Sequence, residues 1–258
     1  VDDCDDTDDD EDAGEDVEES DDGEETDDGD GEDDDAFDEE QPCNGNVRVT
    51  TGIQYGQAPL NGSPSPLTLD LFQPASESET PRPLVVMIHG GGYVAGSPDS
   101  MGDIARRMAS RGYVVASIGY RLNAADGDVT EPFLRMAQDV LAGTNVSDDE
   151  KPPASAIGAG MQDAATALNW LSEYASDFGI DNTRIAVWGE SAGAFSALQS
   201  AYALDDYGIS VPKISAVVSH MGGLGVDSLM ESGEAPLFIV HGTDDQIVPY
   251  IEAQELQA

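Results

Sequence analysis

Apolar and polar residues begin to alternate at Val47-Arg48-Val49-Thr50, and the alternation returns at Leu67-Thr68-Leu69-Asp70-Leu71-Phe72. A period of two predicts two half-buried strands. The Pro, Gly and Asn residues of 56–66 predict the turn that joins them as antiparallel neighbours. Leu84–Ile88 and Tyr113–Ile118 are apolar at nearly every position, as central strands of a parallel sheet covered on both faces must be. Between them the pattern predicts a helix from Ser97 to Arg111, stopped by Gly112. Residues 123–158 are polar and poorly periodic apart from Pro132–Leu141, which predicts a short helix inside a lid or substrate-binding excursion. Ala165, Leu168, Leu171, Ala175 and Phe178 follow helical spacing within a helix from Gln162 to Phe178, where Trp170 is read as core packing. Strands are expected at Ile185–Trp188, Ile214–Ser219 and Leu237–Val240, with a helix of small residues from Ala192 to Ala203. Strands alternating with helices predict an α/β fold with a mostly parallel central sheet and helices on both faces.

Charge divides the chain. Residues 1–40 hold 27 of the 53 acidic residues and none of the 10 Lys and Arg. With so little to bury, residues 1–46 are expected to form a disordered acidic tail or linker, and 47–258 the folded domain. The domain is itself acidic, which excludes nucleic acid and anionic membranes as natural partners. The Asp/Gly runs near residue 30 lack the spacing of a calcium loop. Cys4 and Cys43 can pair only by closing a self-repelling loop. The chain begins at Val1, which predicts a processed form or a fragment, and shows no signal peptide or membrane-spanning run. An acidic tether with a cysteine near its start suits a secreted or extracytoplasmic protein held to a lipid or surface.

Three stretches carry candidate chemistry. Gly189-Glu190-Ser191-Ala192-Gly193 lies between an apolar strand and a helix, the form of a nucleophile elbow, where Ser191 sits at the apex of a strained turn. The Ala192 amide then lies at a helix N-terminus, where a free N–H favours an oxyanion. His89-Gly90-Gly91-Gly92-Tyr93 ends a predicted strand, and successive glycines let backbone N–H groups approach a reacting oxygen closely. His241-Gly242-Thr243-Asp244-Asp245 ends another, so Asp244 and Asp245 are candidates for orienting a catalytic imidazole, with helix capping as the alternative for one of them.

Taken in chain order, His89-Gly90-Gly91-Gly92, Tyr120-Arg121-Leu122, Gly189–Gly193 and His241–Pro249 resemble the α/β-hydrolases of the carboxylesterase and hormone-sensitive-lipase-like kind, over about 47–258. The resemblance implies an α/β-hydrolase fold and a serine hydrolase that cleaves carboxylic esters, feruloyl, acetyl and polyesters among them, through an acyl-enzyme. It implies Ser191 as nucleophile, the amides of Gly91, Gly92 and Ala192 as oxyanion hole, and Asp245 rather than Asp244 as the acid. No metal or organic cofactor is implied, and the partners are small-molecule or polymeric esters.

The family's histidine follows the acid after one more strand, and the sequence shows none there. Of His89, His220 and His241, only His220 is placed by the pattern near the elbow, in an order foreign to the family. The expectation is therefore that the last strand, the histidine and the last helix are missing. Two rival readings are a hydrolase-like binding domain with a decayed triad and a peptidase of the prolyl-oligopeptidase type, whose propeller domain the chain does not show.

Overall fold

The computed structural model describes residues 46–257. The expected disorder of the acidic segment and the pairing of Cys4 with Cys43 lie outside the described residues.

Seven strands, β1 (Val47–Leu60), β2 (Ser63–Pro74), β3 (Arg82–Ile88), β4 (Val114–Ile118), β5 (Ile180–Glu190), β6 (Ala216–His220) and β7 (Leu237–Val240), form one sheet in the order β1-β2-β4-β3-β5-β6-β7. β1, β2 and β4 are successively antiparallel. From β4 through β3, β5 and β6 to β7 every pairing is parallel. The central strands alternate between two buried faces. Val85, Met87 and Val115 pack with Met101, Ala105 and Ala109 of α1 (Gly102–Ser110) and the 3-10 turn before it. Val86, Ile88, Ala116 and Val187 pack on the other face, with α2 (Glu131–Gly143), α3 (Ala154–Glu173) and α4 (Ala192–Tyr202). Helices thus cover both faces, as the apolar runs predicted, and the parallel strands all end on the side where chemistry was expected.

Several boundaries differ from the pattern, and the helix predicted to reach Phe178 ends at Glu173, with turns over 174–179. The turn expected over 56–66 is only Asn61-Gly62, both with positive φ (51° and 75°). This is the Asn-Gly signature of a two-residue hairpin. Pro64 and Pro66 lie within β2, where it has β1 on one side but not yet β4, which it meets only at Leu69–Phe72. Proline is tolerated at such a sheet margin. α3 starts at Ala154, eight residues before the predicted Gln162. Glycines hide this start, since they weaken helix propensity. They are there for contact: a Cβ on Gly158 would lie 3.0 Å from the Phe133 carbonyl oxygen, and one on Gly160 would lie 2.6 Å from the Tyr93 ring. β5 begins at Ile180, five residues before the predicted Ile185. A short helix, α5 (Ile251–Glu255), follows the acidic loop and was not predicted.

Candidate active site

Ser191 is the single residue between the end of β5 and the start of α4, with φ 50° and ψ −119°. A non-glycine residue in such a region carries on the order of 1–3 kcal/mol of strain, which persists only where the surroundings over-determine it. Here its N–H donates to the His220 carbonyl (2.8 Å), and its own carbonyl accepts from Ala194 (2.8 Å) and Phe195 (3.2 Å). A Cβ on Gly189 would lie 2.1 Å from the Gly193 oxygen, and one on Gly193 would lie 2.0 Å from the Ile88 oxygen. Both elbow glycines are therefore required by close packing of β3, β5 and α4, and neither has a positive φ.

The glycine-rich loop lies against this elbow, for a Cβ on Gly90 would sit 3.2 Å from that of Ser191. Its carbonyls are held inward. Tyr120 stacks on the His89 ring at 4.3 Å and donates from its hydroxyl to the carbonyls of His89 (3.0 Å) and Gly90 (3.3 Å). The buried His89 ring has Nδ1 2.7 Å from the Gly90 carbonyl, which only accepts, so Nδ1 carries the proton. Burial lowers the His89 pKa and keeps the ring neutral. A trans peptide points its C=O and N–H in opposite directions. Drawing the Gly90 oxygen inward therefore turns the Gly91 N–H outward. Gly91 and Gly92 have φ of 108° and 61°, which glycine adopts freely. Tyr93, next in line, has φ 62° and donates from its hydroxyl to the Ala192 carbonyl (2.7 Å), tying the loop to the first turn of α4. Burial raises its pKa, so it stays a donor.

A cavity of about 70 Å³ opens beside Ser191. Its wall contains Gly92, Ser191 and Ala192, then Tyr93 and Phe195, then Val140, Leu141, Thr144 and Val146 from α2 and the turn after it, and Ile247 and Val248 from the loop after β7. The predicted nucleophile and two of the three predicted oxyanion donors thus share one mostly apolar cavity. Gly91 belongs to the same loop but does not line it. Two larger hollows of about 300 and 360 Å³ lie elsewhere and include none of the predicted site residues. Size alone is a poor guide to the site here, because the strained serine lies at the smallest of the three.

Asp245 is partly buried, and its Oδ1 accepts from the amides of Ile247 and Val248, both at 2.9 Å. Asp244 is exposed. Asp245 is thus the aspartate fixed in the loop, and its bonds shape the segment that brings Val248 to the cavity. Among the described residues no histidine ring hydrogen-bonds the Ser191 hydroxyl. His89 is committed to its own loop, and His241 Nε2 contacts the Val248 carbonyl (2.8 Å) and lies 3.8 Å from Asp245 Oδ2. His220 reaches the elbow through its main-chain carbonyl alone. Among the described residues there is also no group of three or more His, Cys, Asp and Glu placed to hold a metal ion, and no helix long and apolar enough to cross a membrane. Reading the sequence placed the α2 helix in a lid or substrate-binding excursion but did not show which of its residues wall the cavity, and it missed the Tyr120 hydroxyl, whose partner is remote in sequence.

Comparison with known proteins agrees with this geometry. A family model described as alpha/beta hydrolase fold matches residues 126–242, and one described as BD-FAE matches residues 69–143. Gut esterase 1 of Caenorhabditis elegans is 33% identical over 146 residues, which is 55% of this chain and 22% of that protein. Carboxylesterase NlhH of Mycobacterium tuberculosis is 30% identical over 158 residues, 60% of this chain and 40% of that protein. The match thus spans less than half the length of either relative. The propionate-bound structure of a thermophilic esterase, Est2 of Thermogutta terrifontis, superposes with a TM-score of 0.58 at 20% identity, covering 83% of this chain and 78% of that one, a likeness of fold. The sheet order, the strained serine between β5 and α4 and these partial matches together give the chain an α/β-hydrolase fold, similar over part of its length to carboxylesterases.

Proposed function

We propose that this protein is a serine esterase that cleaves carboxylic esters through an acyl-enzyme. The observation that carries the reading is Ser191, held at positive φ between β5 and α4 in one cavity with Gly92 and Ala192. The Ser191 Oγ attacks the ester carbonyl carbon, and the Oγ–C bond forms as the carbonyl oxygen becomes an oxyanion. The amides of Gly91, Gly92 and Ala192 donate to that oxyanion, a role for which fixed donors in a cavity are worth far more than in water. When the tetrahedral species collapses, the bond from the acyl carbon to the leaving oxygen breaks, and the proton taken from Oγ passes to that oxygen, releasing the alcohol. Water then attacks the acyl-Ser191 carbonyl as the base takes its proton, the acyl–Oγ bond breaks, Oγ recovers a proton and the carboxylic acid leaves. The proton needs a base, and Asp245 is read as the carboxylate that orients it and stabilises its charged form. None of the three histidine rings is assigned that role, since none bonds the Ser191 hydroxyl.

The test is hydrolysis of p-nitrophenyl butyrate, with labelling by a fluorophosphonate, in the full-length natural chain and its Ser191→Ala variant. The expected result is turnover and labelling in the first, and a loss on the order of 10⁶ in kcat with no labelling in the second. Turnover that survives the substitution overturns the reading. A chain that binds esters but neither labels nor turns over is instead a hydrolase-like binding domain.

A further inference from the structure

Glu252 is 2% exposed, on the short helix α5, yet it belongs to no part of the chemistry described above. A buried carboxylate is retained only where donors meet it. Its donors lie more than a hundred residues away: the Thr144 hydroxyl at 2.7 Å and the Asn145 amide, both on Oε1. Glu255, three positions further along α5, accepts from the Asn145 side chain at 2.9 Å. On the far side a Cβ on Gly223 would lie 1.9 Å from Glu252 Oε2, so glycine there makes room for the carboxylate. Burial raises the Glu252 pKa, and the Thr144 hydroxyl, followed by the Asn145 amide, draws it back.

Each end of this latch holds one wall of the Ser191 cavity. Thr144 and Val146 line the cavity from the turn after α2, while Ile247 and Val248 line it from the loop that leads into α5. Among the described residues, Glu252 is the buried side chain that bonds the α2 turn to α5. We infer that Glu252 is a positioning residue that sets the width of the cavity beside Ser191, by bonding Thr144 and Asn145, and so limits the length of the acyl chain the enzyme accepts. The proposal rests on the esterase reading of Ser191. A chain of more than a few carbons must push the α2 turn outward, and the latch opposes that movement. One methylene too many in an apolar pocket is worth about 1–3 kcal/mol of discrimination, or on the order of 10- to 200-fold.

The experiment measures kcat/KM for p-nitrophenyl acetate, butyrate and octanoate in the full-length chain and in three variants. In Glu252→Ala the latch is gone. In Thr144→Val the hydroxyl is replaced by a methyl group of the same shape. In Glu252→Gln the amide oxygen still accepts both bonds. We expect the octanoate-to-acetate ratio to rise on the order of tenfold in Glu252→Ala, and in the same direction in Thr144→Val, while Glu252→Gln keeps the wild-type ratio. A merely structural residue moves all three esters together and leaves the ratio alone. If Glu252→Ala fails to fold, the contrast between Thr144→Val and Glu252→Gln decides. Proportional losses on the three esters, or a ratio that Glu252→Gln shifts as far as Thr144→Val does, overturns the proposal while leaving the esterase reading intact. A wild-type chain that hydrolyses none of the three overturns that reading and the proposal with it.

Discussion

The Ser191 side and the Asp245 side of the proposed site are built to different standards. Around Ser191 the packing leaves no slack: Ile88, Val187 and Ala194 are fully buried, and the two elbow glycines admit no Cβ. Around Asp245 the chain is thinly covered. β7 pairs with β6 over only four residues, Phe238 and Val240 on it are 64% and 45% exposed, and Ile247 beyond it is 59% exposed. What holds the Asp245 loop is a few hydrogen bonds, the two amides on Asp245 Oδ1 and the latch from Glu252 to Thr144. The difference teaches where each side is vulnerable. Strain at a serine must be enforced by dense surroundings, so a change there disturbs the fold. A carboxylate needs only its bonds and its charge, so a change there can remove the chemistry and leave the fold.

The sharpest way to break the comparison is therefore Asp245→Asn. The asparagine Oδ1 still accepts from Ile247 and Val248, so the loop keeps its shape, while the charge that would stabilise an imidazolium is gone. With a full-length chain, kcat on an aryl ester is expected to fall on the order of 10⁴-fold. The urea midpoint should move little, and Asp244→Asn should do much less to kcat. A reversed pair of effects assigns the acid to Asp244. A large loss of stability in Asp245→Asn would show that the acid loop is as tightly coupled to the fold as the elbow.

On the braced side the corresponding change is Arg121→Met. Arg121 is buried, bonds Asp163 through Nη2 (2.8 Å) and Nε, and reaches the carbonyls of Pro59 and Asp128. It thereby ties the β1–β2 hairpin and the excursion to α3. Burial raises the Asp163 pKa and Arg121 lowers it, so without Arg121 the carboxylate is left desolvated. Removing one partner of a buried pair typically costs about 3–5 kcal/mol. The urea midpoint should fall accordingly, and replacing both partners, Arg121→Met with Asp163→Leu, should restore much of it. A shift below about 1 kcal/mol in the single variant contradicts the account of this side as the braced one.

These two sides were also unequally legible. The elbow was visible because its requirements are local: an apolar strand, Gly189, Ser191, Gly193 and a run of small residues fall within a few positions of one another. The parallel core strands were visible for the same reason, as uninterrupted apolar runs. The start of α3 was not, because Gly158 and Gly160 answer to Phe133 and Tyr93, contacts that no local pattern records. Residues 56–60 were read as turn although they pair with β2, since Gly56 and Pro59 weigh toward loop when the partner strand is unknown. The cavity wall and Glu252 depend on contacts spanning more than a hundred residues, and a single glutamate in a short helix gives no periodic signal.

The smallest expected effect serves as a control remote from both sides. Asp181 lies at the start of β5, ten residues before Ser191 and thus about 30 Å along the strand from the chemistry. The Thr183 hydroxyl, then the Thr183 amide, then Arg184 lower its pKa to about 2 from 3.8. A carboxyl whose folded pKa is depressed contributes stability that is present above its unfolded pKa and lost as pH falls through the folded one. For Asp181 that window runs from about 4 down to about 2. Asp163 and Glu252, whose pKa values are raised, act in the opposite sense: their contribution is full at low pH and lost as pH rises through their folded pKa values. In Asp181→Asn the difference in urea midpoint from wild type should therefore be present at pH 5 and shrink toward zero as pH approaches 2. Ester hydrolysis at neutral pH should not change. The gap is expected to be small, because Asp181 and its partners are solvated. A gap that stays constant across this range would mean that the Thr183 and Arg184 contacts do not set its titration.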